Sequence, residues 1–245
     1  MIQKPIIIWW GVDTSEESYE EGIRAEEPIP IFKNFLTEYA GVDENTKLLA
    51  RCPAIVDELT NLYGVKPYYD YKLNIAPNNE ITTEDYNQQF FNSHVLVRSA
   101  RFISFKTNHI FFAPFEKSLR MSQVAPSLED NSFANSTMLI PGQIDIGKYF
   151  RALDLPFILK KETSTIQFLR NQICFYVKFH TTRPIVLRQF FFDKKINDYY
   201  RPIMKVKRNK YPENTKELLS YYYNLFDKFQ FKKKIIKIIE KNLTT

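Results

Sequence analysis

Residues 165–192 read TIQFLRNQICFYVKFHTTRPIVLRQFFF, and this stretch decides the fold class. Its apolar runs are short, aromatic and β-branched, as in Thr165–Arg170, Ile173–His180 and Ile185–Phe192. Such runs, broken by Asn171-Gln172 and by Thr181–Pro184, read as strands rather than helices. The same pattern extends back to His94. Val95–Arg98, Arg101–Lys106, Ile110–Pro114, Met138–Ile140, Gln143–Ile146 and Phe157–Lys160 are further strand candidates, separated by Pro, Gly, Asn and Asp. No long helices alternate with them, which argues against a parallel α/β sheet. The expected fold is mainly β: an antiparallel β-sandwich or jelly roll, like a double-stranded β-helix. Pro141-Gly142 and Asn171-Gln172 are expected to turn two hairpins.

Outside this region the chain reads differently. Lys4–Trp10 is a buried strand ended by Gly11. Asp13–Glu27 is an acidic surface loop. Pro53–Tyr63 is one early helix, with Pro53 in its first turn and Gly64 as its left-handed terminator. Val65–Ile75 then reads as a strand, and Thr82–Phe91 as a short helix. The C-terminus is helical, first from Thr215 to Phe229 and then over 232–243. The expected organisation is a β-rich domain over residues 1–200, with a basic helical region over 201–245 packed on it.

Composition excludes several classes. Of 245 residues, 21 are Phe and 15 Tyr, too aromatic for a disordered chain. Two cysteines, Cys52 and Cys174, cannot staple a secreted scaffold. The longest apolar run, Ile6–Trp10, is far short of the ~20 residues that cross a bilayer. No export signal is legible at Met1–Lys4, so a cytoplasmic location is expected, with no membrane partner. The net charge of +6 is polarised. Residues 1–50 hold 4 basic and 10 acidic side chains, and residues 201–245 hold 12 basic and 4 acidic. The basic elements of the tail are Lys205, Lys207, Arg208, Lys232, Lys233, Lys234, Lys237 and Lys241. Interleaved with tyrosines, they suit a polyanion such as single-stranded nucleic acid, or an acidic protein partner.

Reactive motifs are scarce. Only His94, His109 and His180 could ligate a metal, and none lies in a His-x-Asp, His-x-Glu or His-x-His arrangement. There is no Gly-x-Ser-x-Gly elbow and no phosphate-binding glycine loop. Cys174, in an apolar strand, reads as a buried and inert thiol. Asp145 stands between Ile144 and Ile146, and Arg151 follows Tyr149-Phe150. Arg151 can pair with Asp145 or anchor an anionic ligand.

Four segments carry a family resemblance. They are Arg51–Ile55 with Gly64, Phe111–Pro114, Pro141–Gly147 with Phe150-Arg151, and Cys174–His180. Over about residues 45–195 the chain resembles a family of uncharacterised proteins encoded by tailed phages, particularly marine ones, and by some bacteria. The resemblance implies a compact β-rich fold and a phage origin, and it brings no catalytic residues. The expected function is that of a non-enzymatic accessory protein binding a protein, a nucleic acid or a small ligand, with no cofactor. The alternative is a metal-dependent oxygenase of the double-stranded β-helix type.

Overall fold

The structure is a computed structural model. It describes residues 3–13, 25–38, 51–68, 70–78, 80–83, 91, 94–99, 101–209, 224, 226 and 230–244. In chain order the elements are β1 (Ile6–Val12), β2 (Ile29–Pro30), α1 (Ile31–Glu38), α2 (Pro53–Leu59), β3 (Leu62–Val65), β4 (Tyr71–Ile75) and β5 (Ile81–Thr82). Next come β6 (Val95–Ser99), β7 (Phe102–Lys106), β8 (His109–Phe112), β9 (Arg120–Val124), α3 (Ser132–Ser136), β10 (Thr137–Leu139) and β11 (Gly142–Asp145). The chain finishes with β12 (Asp154–Leu159), β13 (Thr165–Phe168), β14 (Phe175–Phe179), β15 (Ile185–Gln189), α4 (Lys194–Asn209) and α5 (Phe231–Asn242).

β1 is apolar on both faces, and that dictates the layering. Successive strand side chains point to opposite sides. Ile6, Ile8 and Trp10 join the large core, while Ile7 and Trp9 join a second cluster. Its neighbour β8 divides the same way, with Phe111 on the first side and Ile110 and Phe112 on the second. A strand buried on both faces needs cover on both. One face lies on the sandwich. The other is covered by α4 and α5, through Ile196, Tyr200, Ile235 and Ile239. Phe112 meets Phe150 edge-on at 5.4 Å and Phe226 at 5.7 Å in this second layer.

The sheet that carries β1 has the order β15-β1-β8. β8 runs antiparallel to β1, with Trp9 opposite Phe112, whereas β15 runs parallel to it, with Ile6 opposite Ile185. The other three sheets, β10-β12-β7-β6, β11-β9-β14-β3-β2 and β13-β4-β5, are antiparallel throughout. They close on one aromatic core. Phe105 stacks on Phe168 at 4.5 Å, and Phe133 from α3 meets Phe168 at 4.9 Å and Phe157 at 5.2 Å. The expected mainly-β, antiparallel-dominated fold with an early helix, α2, and a helical end is therefore the observed one, and α1 precedes that helix as an addition the sequence reading did not expect. Among the described strands the single parallel pair joins a strand near the start of the chain to one near the end.

Several local expectations are corrected. Gly11 does not end the first strand; it lies inside β1. A Cβ there would sit 2.8 Å from the Phe190 carbonyl oxygen and 2.9 Å from its ring, so glycine lets the chain after β15 cross closely. The early helix stops at Leu59 rather than Tyr63. Asn61, with φ 56°, takes the left-handed turn assigned to Gly64. Gly64 lies in β3, where a Cβ would approach Ile173 Cδ1 to 2.5 Å. The strand expected over Val65–Ile75 is broken after Val65, in a segment that contains Pro67, and resumes as β4.

Neither expected hairpin forms. β10 pairs with β12 and β11 with β9, so Pro141 passes the chain from one sheet to another. β13 pairs with β4, and β14 with β3 and β9, so Asn171-Gln172 does the same. The chain boundary expected at residue 200 falls inside α4, whose Ile196 and Tyr200 share a cluster with α5. The helices expected over 82–91 and 215–229, and most of the loop 13–27, lie largely outside the described residues.

Trp9 is 1% exposed and joins the sheet to the helices. Trp9→Ala is expected to lower stability by about 3–5 kcal/mol, the cost of an unfilled aromatic cavity, measured by urea denaturation.

Candidate polyanion-binding surface

Helix α5 is built to lie on the sheet with its cations outward. Ile235 and Ile239, four residues apart, are its buried contacts. Lys233, Lys237 and Lys241 repeat at the same spacing and are exposed. One helical turn rises ~5.4 Å, so the three ammonium stems form a stripe along the helix. Lys234 is exposed as well, with Nζ 5.8 Å from the Tyr199 ring. Lys232 differs from these. Its Nζ donates to the carbonyls of Glu116 at 3.0 Å and Gly147 at 2.9 Å and lies 5.9 Å from the Phe112 ring. It pins the start of α5 to the β8–β9 and β11 connections and is a structural cation, contrary to the sequence expectation.

Two exposed aromatics stand near the ends of this helix. Phe115 is 61% exposed, with its ring edge-on to Trp9 at 5.7 Å, and the next residue, Glu116, holds Lys232. Phe191 is 54% exposed, and its amide donates to the Asn242 carbonyl at 3.0 Å. α4 adds exposed Lys194, Lys195 and Arg201. Exposed Asp198 and Glu240 interrupt the positive field without cancelling it. Lys205, Lys207 and Arg208 fall on α4, but their side chains lie outside the described set.

α4 is fastened to the sheet by polar groups. Asp193 caps its start, accepting from the Ile196 amide at 2.8 Å. The Tyr200 hydroxyl accepts from the Ala152 amide at 3.1 Å. Burial first, and then the Asp13 charge, push that phenol well above its ordinary pKa, so it stays neutral.

The expected Asp145 and Arg151 site resolves into two structural roles. Asp145 accepts from the Ser118 hydroxyl at 2.8 Å, the Gly147 amide at 3.0 Å and the Leu119 amide at 3.1 Å. It therefore organises the turn after β11. Arg151 is 5% exposed and pairs with Asp154 at 3.4 Å. Each of the two thus has a partner in its own neighbourhood.

The three histidines do not converge. His94 and His109 flank Tyr68. His94 Nε2 lies 3.4 Å from the Tyr68 hydroxyl and 3.2 Å from Asn108 Nδ2, while the His109 ring packs edge-on to Tyr68 at 6.3 Å. His180 is exposed on the other side of β9, with Nε2 2.7 Å from the Ser122 hydroxyl. Among the described residues no three His, Cys, Asp or Glu side chains are placed to hold a metal ion. The donor set of the oxygenase alternative is thus not assembled from these histidines. The buried Cys174 Sγ lies 3.3 Å from the Val65 carbonyl, and burial pushes the thiol pKa far up, away from nucleophile chemistry.

Sequence reasoning missed Phe115 and Phe191 as exposed aromatics. No described helix is long and apolar enough to cross a membrane. Comparison with family models, with curated proteins and with solved structures finds no match.

His109 yields a pH test. It is 1% exposed, and its Nδ1 donates to the Thr107 carbonyl at 2.8 Å. Burial lowers its pKa from 6.5 to about 4. Below pH 6.5 the unfolded chain takes up a proton that the folded chain refuses. Its contribution to stability is therefore full above pH 6.5 and is lost as the pH falls toward 4. Between those values the native protein is expected to lose about 3 kcal/mol more stability than His109→Gln, read from urea midpoints at each pH.

Proposed function

We propose that this chain is a non-enzymatic, phage-encoded accessory protein acting in the host cytoplasm, and that α5 docks the phosphate backbone of single-stranded nucleic acid. The observation that supports this reading is the exposed stripe of Lys233, Lys237 and Lys241 on a helix whose other face is fixed in the core. A charge row on a rigid support holds its geometry, whereas the same lysines on a loose tail would not. Single-strand binding combines a cationic track with aromatic faces on which bases stack. Phe115 and Phe191, exposed near the two ends of α5, supply such faces.

The test is fluorescence anisotropy of a labelled oligothymidylate of about 20 nucleotides, titrated at several salt concentrations. The logarithm of affinity should fall linearly with the logarithm of salt. Changing Lys233, Lys237 and Lys241 together to Ala should reduce that slope by about 2, at ~0.7 per phosphate contact. Lys232→Ala, which removes a structural anchor, should lower stability and leave the slope unchanged. Salt-independent binding, or an unaltered slope in the triple variant, would contradict the reading. Binding of polyglutamate with none to the oligonucleotide would reassign the surface to an acidic protein.

A further inference from the structure

A cavity of about 370 Å³ opens where α1, the loop before α3 and the turn between β13 and β14 meet. That volume lies within the ~300–1,000 Å³ range of small-molecule sites. Described residues line it throughout. Its floor is apolar. Ile31 and Ile173 are buried and close over Gly64 of β3, where a Cβ would meet Ile173 Cδ1 at 2.5 Å and Ile31 Cδ1 at 3.0 Å. Phe35, four residues on from Ile31 and on the same side of α1, gives the wall a half-buried ring.

The charged groups of the wall are engaged within the fold. Tyr176, buried in β14, donates its hydroxyl to Glu129 Oε1 at 2.9 Å. Asp130 Oδ1 accepts from Asn135 Nδ2 at 2.8 Å, and Lys66 Nζ pairs with Glu26 at 2.8 Å. Asn131 caps α3 by accepting from the Ala134 amide, and its Nδ2 donates to the Ile173 carbonyl at 2.9 Å, which ties the loop to the turn. The remaining polar side chains of the wall differ from these. Asn34 of α1, and Asn171 and Gln172 of the turn, make no side-chain hydrogen bond among the described residues. Three uncommitted carboxamides from two separate elements therefore line one cavity on a fixed support.

A carboxamide offers two donors and an acceptor in one plane. An apolar ligand would strip all three amides of water without return. An anion meets the carboxylates of Glu129 and Asp130. A cation suits those carboxylates but gives the amide N–H groups no acceptor. A hydroxyl both donates and accepts, so a neutral polyol matches amides and carboxylates together. The C–H face of a sugar ring supplies the apolar side that an aromatic face accepts. We propose that this cavity binds a neutral mono- or disaccharide, with its hydroxyls on Asn34, Asn171 and Gln172 and a C–H face against Phe35.

The test titrates the full-length protein with glucose, galactose, mannose, N-acetylglucosamine, maltose and lactose, and with spermidine, citrate and adenosine for comparison. The readout is the side-chain amide region of a proton–nitrogen correlation spectrum. At least one sugar should shift the carboxamide signals of Asn34, Asn171 and Gln172 together and saturate them. Asn34→Ala and Gln172→Ala should each weaken that sugar about tenfold, the scale of one lost hydrogen-bonding group. Neither side chain holds a bond in the fold, so both variants should keep the native urea midpoint. The triple lysine-to-alanine variant of α5 should bind the sugar as well as the native protein does, because the two sites share no residue. No shift with any of the sugars up to roughly 50 mM, shifts confined to other residues, or undiminished affinity in both variants would overturn the proposal. Saturation of the three signals by spermidine, citrate or adenosine, with none by a sugar, would also overturn it, by giving the cavity to a charged or a heteroaromatic ligand.

Discussion

The burial of β1 on both faces is the constraint from which the rest of the architecture follows. A strand with Ile6, Ile8 and Trp10 on one side and Ile7 and Trp9 on the other is stable only between two apolar layers. The aromatic sandwich supplies one. The helix pair α4–α5 supplies the other, and it is held there by Tyr200, Ile235 and Ile239. The C-terminal helices are therefore part of the core. The positive character of their outer side follows from this placement, because Ile235 and Ile239 of α5 are committed inward and Lys233, Lys234, Lys237 and Lys241 are left facing solvent.

The fold class was legible because short aromatic and β-branched runs between turn residues leave few alternatives. The double-sided run Ile6–Trp10 was legible as a buried strand for the same reason. Pairing was not legible. Pro141-Gly142 and Asn171-Gln172 look like hairpin turns, yet they move the chain between sheets. A turn signal reports that the chain changes direction; it does not report which strand the next one will bond. The parallel contact of β1 with β15 spans almost the whole chain, and no local pattern encodes it. Gly11 and Gly64 were misread for a related reason. Their small size serves close approach by Phe190 and Ile173, which are distant in sequence, rather than a local turn.

The candidate surfaces divide in the same way. The exposed lysine stripe of α5 was visible from helical spacing alone. The exception was Lys232, whose partners are carbonyls more than 80 residues away. Asp145 and Arg151 looked like a pair because they are near in sequence, but the turn at Gly147 gives Asp145 backbone donors and leaves Arg151 beside Asp154.

The sandwich and the helical layer should unfold as one cooperative unit, because β1 and β8 belong to both. The two tryptophans report on the two sides separately: Trp10 faces the sandwich core and Trp9 the helices. The most direct measurement is urea unfolding of Trp9→Phe and Trp10→Phe, each followed by the fluorescence of the remaining tryptophan and by far-ultraviolet circular dichroism. Within each variant the two probes should trace one transition with one midpoint. A lower midpoint for Trp9 fluorescence in the Trp10→Phe variant, with the β signal still folded, would show the helices to be a separable appendage and contradict the account.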